Sequence, residues 1–259
     1  MLDLNQRWRH GRDSYRRPDE QINPMYYDVD ELRDDATAKR FVEQHHYSGS
    51  YPAARFRFGL YCYGRLVGVS VFSVPVRAEV LTSVFPGDPN ESVELGRFVL
   101  LDEVPGNGET WFLARCFERL RRRDLHGVVS FSDPVPRSTA DGRVMFAGHI
   151  GTIYQAHNAA YLGRATARTL HLLPNGTVFS ARAQQKIRAG ERGWRYAAEI
   201  LQRFGATACP DENRTAWLQT WMARLIRRVR HPGNHRYAWR LQRHVALAGA
   251  PQPYPKALR

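Results

Sequence analysis

Between Arg55 and Val74 apolar and polar residues alternate with a period of two, Phe56, Phe58 and Leu60 falling on one side. Gly64-Arg65 interrupts the alternation before Leu66–Val74, so the pattern predicts a β-hairpin. Ahead of it, Val29 to His45 is rich in helix formers and offers Leu32, Ala36, Phe41 and Val42 as one buried face. Behind it, Val80–Glu91 reads as a loop and Val93–Leu101 as a buried strand. The run Asp102–Thr110 then leads into Trp111–Arg123, where Trp111, Phe112, Leu113, Cys116, Phe117 and Leu120 repeat at helical spacing.

Further on, Gly127–Ser132 predicts a strand, Ile150–Leu162 a helix stopped by Gly163, and Thr166–Leu173 another strand. Helices are expected near Gln184–Ala189, Gly193–Phe204 and Asn213–Arg230. In the last of these, Trp217-Leu218, Trp221-Met222, Leu225-Ile226 and Val229 form an apolar stripe, leaving Arg214, Arg224, Arg227, Arg228 and Arg230 largely off it. Strands and helices thus alternate through the middle of the chain, which predicts an α/β (α+β) sheet core with a helical addition at its end. The expected divisions are a polar arm over residues 1–30, a core over 31–180 and a basic helical extension over 181–259.

Composition narrows the class. The 259 residues are 43% hydrophobic and 12% aromatic, which excludes a mostly disordered chain. The longest apolar stretch, Leu66–Val76, is strand-sized and contains serines, so no membrane partner is expected. Cys62, Cys116 and Cys209 are few and widely spaced, as in a reduced, cytoplasmic chain without a disulfide framework.

Charge is the more informative figure. The net of +13 comes from 38 basic and 25 acidic residues, and only three of the basic ones are lysines. Residues 180–259 hold 16 basic and 4 acidic residues, so nearly all the excess lies there. Arginine's planar fork suits phosphate, and a concentrated basic segment is the footprint of a polyanion partner.

Three segments carry candidate chemistry. The strand–loop–helix passage Pro105–Thr110, with Gly106, Asn107, Gly108 and Thr110, is a candidate anion cradle, because free amides at a helix start can hold a pyrophosphate. An ordinary capped turn is its alternative. His45-His46-Tyr47-Ser48 places imidazole, phenol and hydroxyl on a loop, where a histidine can act as general base or metal ligand. Ser132-Asp133 ends a strand, where polar residues point into a ligand crevice. Asp133 with His149, His157 or His46 would make a mixed site suited to iron or zinc. On the expected helix 150–162, Tyr154, Asn158 and Tyr161 share one face, as in the lining of a polar groove.

Taken together, His46–Ser48, the strand ELGR with Arg97, GNGETWFLARC, SFSDP at Ser130–Pro134, GHIGTIYQAHNAAYLG and HPGNHRYAW (His231–Trp239) resemble the Mom family of phage DNA-modification proteins, members of the GNAT acyltransferase superfamily. The resemblance spans roughly residues 40–240. It implies a GNAT-like mixed, splayed sheet flanked by helices, with acetyl-CoA held by Gly106, Asn107, Gly108 and Thr110 and by Arg97, Ser132, Tyr154 and Asn158. Pro105-Gly106-Asn107-Gly108 departs from the usual GNAT glycine pattern. The implied reaction puts an acetamido (methylcarbamoyl) group on the exocyclic N6 of adenine in DNA, protecting it from restriction, in the cytoplasm of a bacterial host or from a prophage. The implied reacting centre is His46, Tyr47, Ser48 and Asp133, with Fe(II) as a second cofactor on His46 and Asp133. The adenine must be flipped or single-stranded, with Tyr47, Tyr51 and Trp111 as stacking partners. Arg224, Arg227, Arg228 and Arg230 are the expected DNA contacts. Two other readings fit the same motifs: a GNAT acetylating a small amine, protein or RNA, and a non-catalytic basic DNA-binding protein.

Overall fold

The computed structural model describes residues 5–9, 12–17 and 19–256. The expected arm is not featureless: Asn5–Arg9 (β1) and Arg12–Arg16 (β2) pair antiparallel, and Tyr27–Glu31 (β3) joins the main sheet as an edge strand. Residues 1–4, 10, 11 and 18 of that arm lie outside the described ones. The helix expected from Val29 therefore starts later, as Asp35–His45 (α1), because Asp34 caps it by accepting the Thr37 N–H at 3.0 Å. Ala54–Cys62 (β4) and Arg65–Ser73 (β5) are the predicted hairpin, turned at Tyr63 and Gly64, both with positive φ.

Glu79–Thr82 (α2) gives one helical turn to the stretch read as a loop. Ser92–Leu100 (β6), Gly108–Arg121 (α3) and Gly127–Ser132 (β7) follow, close to their sequence-predicted limits. Arg137–Ser138 (β8) and Val144–Phe146 (β9) form a short pair, and Thr152–Ala156 (α4) precedes Ala160–Arg164 (β10). The remainder is Arg168–Leu172 (β11), Ala181–Ala189 (α5), Trp194–Gln202 (α6), Arg214–Leu225 (α7), Arg227–His231 (β12) and His235–Arg240 (β13).

Seven strands form one mixed sheet in the order β10-β13-β7-β6-β5-β4-β3. Every neighbouring pair is antiparallel except β6 and β7. Helix α3 lays Phe112, Leu113, Cys116, Phe117 and Leu120 against Phe58, Leu60, Phe72 and Leu95. Ala38, Phe41 and Val42 of α1 pack with Val69, Val71 and Val99 in a separate cluster. The sheet is thus covered by helices, as expected of an α/β core.

The chain divides into two compact units, residues 1–134, 149–165 and 234–259 in one and 135–148 and 166–233 in the other. The division expected at residue 180 is not found: β13 belongs to the main sheet, and the second unit begins within the expected core. That second unit carries 14 basic and 5 acidic residues, a net of +9, and the sheet unit the remaining +4. Its core joins Phe179, Ile187, Ala197, Ala198, Leu201, Trp217 and Leu218.

Two sequence-predicted helices are shorter than expected. The one from Asn213 ends at Leu225, and the RRVRH that follows alternates as a strand, with Val229 opposite Leu170 and His231 buried. Arg227, Arg228 and Arg230 are strand residues; Arg214 and Arg224 stay helical, the Arg224 guanidinium 5.2 Å from the centre of the Trp221 ring. The helix from Ile150 stops after Ala156, because Asn158 adopts φ +55 and turns the chain into β10. Tyr154, Asn158 and Tyr161 therefore do not share a helix face: Asn158 is exposed at the turn and Tyr161 is buried in a strand.

Candidate active site

The parallel ladder between β6 and β7 is short. It runs from Ser92 opposite Gly127 to Leu95 opposite Ser130 and goes no further, although β6 continues to Leu100. Ser130 Oγ donates to the Leu95 carbonyl at 3.0 Å, closing the ladder where the strands part. Beside this point Gly96 is an extra residue in β6: Arg97 pairs with Val71 and Leu95 with Phe72, leaving Gly96 unmatched. A Cβ there would come within 2.4 Å of Ser73 Oγ, so glycine fits the bulge. The bulge changes the phase of the strand, and Glu94 and Arg97 interact electrostatically.

Arg97 fastens the loop after α1. Its Nε donates to Ser50 O at 2.8 Å and its Nη2 to Ser50 Oγ at 2.8 Å, a forked grip that lysine cannot copy. Within that loop the Gly49 N–H donates to His46 O at 3.0 Å, making a tight turn for which Gly49 takes φ +54. The Ser48 N–H donates to His46 Nδ1 at 3.1 Å, and Ser48 Oγ lies 2.8 Å from the same nitrogen. Nδ1 is therefore the bare nitrogen, and Nε2 carries the hydrogen. Burial, the Arg97 charge and His149 push the His46 pKa down to about 3. His46 is a neutral imidazole presenting a donor.

Tyr47 continues the group. Its hydroxyl lies 3.3 Å from His149 Nε2, and its ring stands 4.2 Å from that of His46. The His149 N–H donates to the Asp133 carbonyl at 2.8 Å, so Asp133 fixes His149 through its backbone. Glu94, half-buried on β6, has its carboxyl pKa raised by burial, with Arg97 opposing. Burial also raises the Tyr154 phenol, which hydrogen-bonds Ser130 and feels both Glu94 and Arg97. Ser132 Oγ is buried with no hydrogen-bond partner among the described residues, beside the space a Cβ on Gly151 would take.

His46, Tyr47, Ser48, Arg97, Tyr154 and the backbone of Asp133 thus belong to one region. The expected phosphate loop is a different neighbourhood, at the N-terminus of α3 beyond the end of β6. There Asn107 Oδ1 accepts the Ile22 N–H at 2.7 Å, Thr110 Oγ1 donates to Asn107 O at 3.0 Å, and Gly108 lies close against Val104. The Asn107 and Thr110 side chains are thus both engaged in internal hydrogen bonds. Of the three stacking candidates, Tyr51 is held by Asp35 at 2.9 Å and Trp111 packs edge-on to Tyr27, leaving Tyr47 beside His149. The metal expectation is not met: among the described residues no group of three His, Cys, Asp or Glu side chains could hold an ion. His46 offers Nε2 alone, and with no such group gathered around it the donor set does not fit iron. Glu94 and Ser130 were missed by sequence reasoning; the available signal was a lone carboxylate inside the apolar run VELGRFVL.

A mixed sheet that parts between two parallel strands, with a helix start beyond their carboxyl ends, is the GNAT-like fold. Residues 28–256 match the model of the Mom protein family, and the chain belongs to that family. No match is found among curated proteins. Among solved structures the chain is similar to the ribosomal-protein-S18-alanine N-acetyltransferase of Escherichia coli, at 12% identity and TM-score 0.33, covering 55% of this chain and 81% of that one. It is also similar to an N-acetyltransferase of Staphylococcus aureus Mu50, at 8% identity and TM-score 0.37, covering 83% and 99%. A third is N-acetylglutamate synthase of Neisseria gonorrhoeae, complexed with coenzyme A and N-acetyl-glutamate, at 9% identity and TM-score 0.35, covering 84% and 36%. Likenesses this weak assign no activity.

Proposed function

We propose that this protein transfers an acetyl-CoA-derived group to the exocyclic N6 of adenine in DNA, the methylcarbamoyl product that the Mom resemblance implies. The observation that carries the reading is the gathering of Tyr47, His46, His149, Arg97 and Glu94 where β6 and β7 part, inside the stretch matched by the family. In an α/β sheet, a crevice at the carboxyl ends of parallel strands is where ligands bind.

The residues divide the work as follows. Acetyl-CoA supplies the two-carbon unit when bound. The α3 N-terminal amides face its phosphates, and Ser132 Oγ and Tyr154 line its reactive end. The Asn107 side chain is held by Ile22 and takes no part. Tyr47, 38% exposed, stacks on the extruded base, and His46 Nε2–H donates to an acceptor on it. Glu94 takes the N6 proton, since a carboxyl with a raised pKa is a stronger base than an ordinary one. Arg97 acts by holding the loop.

Attack of N6 on the thioester carbonyl expels the CoA thiol and leaves an N6-acetyl amide. A bond from N6 to the methyl carbon instead replaces a C–H and an N–H, a two-electron oxidation, and the amide nitrogen must come from a further donor. Nothing in the side chains described supplies either, and we assign no residue to those steps. The second unit's Arg224, Arg228 and Arg230, exposed beside Arg227, are the proposed backbone contacts. Arg227 also donates to Ser138 O at 2.8 Å, so its loss costs structure as well as charge. Plasmid from cells expressing the protein is expected to resist restriction enzymes whose sites contain adenine. Unaltered digestion at every such site contradicts the proposal.

A further inference from the structure

At the opposite end of β7 from the crevice lies a second feature. Arg240 pairs with Gly127, the first residue of β7, and five residues on, about 16 Å along a strand, is Ser132 beside the crevice. Arg121, Arg240, Leu241, Gln242, Arg243 and His244 line a cavity of about 740 Å3 there.

Its walls are built rather than incidental. The Leu241 N–H donates to His126 O at 2.8 Å, and Gln242 Nε2 donates to Arg121 O at 3.4 Å, tying the end of β13 to the end of α3. The His126 ring, itself 3.1 Å from Glu91 Oε2, stands edge-on to His244 at 5.8 Å.

The charges are unevenly answered. Arg122 and Arg123, next in sequence to Arg121, are paired with Glu118 and Glu31. Arg121, Arg240 and Arg243 make no ion pair among the described residues, and all three are exposed. Three guanidinium groups around one opening, with no carboxylate lining it, present donors and no charged acceptor. Such a surface suits oxygens that carry negative charge and recur along a chain.

We propose that this cavity grips the sugar–phosphate backbone of duplex DNA without reading its sequence. The proposal rests on DNA being the substrate, and it adds a holding site on the sheet unit itself, away from the reacting centre.

The test is fluorescence anisotropy of a labelled duplex across a salt series, with the full-length protein. Replacing Arg121, Arg240 and Arg243 together by Gln is expected to weaken binding about 10- to 100-fold near 0.1 M salt and to flatten the log–log salt slope by about 2 to 3. Arg243→Glu alone, on an exposed turn, is expected to weaken binding in the same direction. A control triple, Arg17, Arg65 and Arg77 to Gln, removes the same charge from arginines paired with Asp19, Glu103 and Glu79. The proposal is overturned if the cavity variants bind as the wild type does, or if the control triple weakens binding equally. Adduct formation by the wild type with unchanged binding by the cavity variants sinks the grip and leaves the function standing. Salt-dependent wild-type binding lost in the cavity variants, with no adduct formed, does the reverse.

Discussion

The Tyr47 hydroxyl and His149 Nε2 meet at 3.3 Å although 102 residues separate them in sequence. The contact joins the loop after α1 to the loop entering α4, and both border the place where β6 and β7 part. Removing the hydroxyl leaves an exposed ring in place. Tyr47→Phe keeps the stacking ring and is therefore expected to change stability by less than about 0.5 kcal/mol and to leave DNA modification nearly unchanged, whereas Tyr47→Ala, which removes the ring, is expected to slow modification by about 10-fold or more. Denaturant melts and initial rates, measured side by side, check both halves.

His46 links stability to pH. Its folded pKa of about 3 lies below the ordinary 6.5, so between those values the unfolded chain binds a proton that the folded one does not. The stability from this group is complete above about pH 6.5 and is lost as pH falls toward 3. His157, His171 and His235 are also lowered, chiefly by burial, so the comparison must be with a variant. On going from pH 7 to 4.5, the urea midpoint of the wild type is expected to fall further than that of His46→Gln. Parallel curves would show that His46 is not held neutral.

Arg97 is a positioning residue. Arg97→Lys keeps the charge but loses the fork on Ser50. Hydrogen exchange at the Gly49 amide, which donates to His46 O, is expected to quicken while exchange in the β4–β5 hairpin is unchanged. Equal protection in both proteins would remove the role.

Glu94 sets the acid limb of the rate. A base must be ionised to accept a proton, so kcat/KM is expected to rise with pH through a value above the usual carboxylate range and then level. Glu94→Gln is expected to lower kcat by about 100-fold or more and to abolish that limb. A variant that keeps the limb places the base elsewhere.

These expectations draw on what the sequence makes legible and on what it hides. The hairpin of β4 and β5 is written in alternation and in Gly64, because a half-buried pair imposes period two on its residues. Helix α3 is equally plain from its apolar spacing. Asn158 hides a boundary: it is an ordinary residue by pattern, and only its positive φ converts an expected helix into α4 and β10. Arg227–His231 hides another, since an apolar stripe that reaches Ile226 by helical spacing meets Val229 by accident of phase.

The site was legible by motif and not by contact. His46, Tyr47 and Arg97 stand out as local words, but the grip of Arg97 on Ser50 and the meeting of Tyr47 with His149 arise from tertiary folding. Glu94 owes its raised pKa to burial beside a bulge that no local pattern announces. Charge is assigned by sequence to the last third of the chain, and Arg240 and Arg243 of the cavity lie there, but Arg121 comes to it from the end of α3.

Mass spectrometry of nucleosides from DNA of cells expressing this protein tests the central claim most directly. The account predicts a deoxyadenosine heavier by one acetamido group, present with the wild type and lost with Glu94→Gln. Unmodified deoxyadenosine in DNA from cells making folded wild-type protein would contradict it, and a plain acetyl gain would contradict the methylcarbamoyl product while leaving acyl transfer to adenine in place.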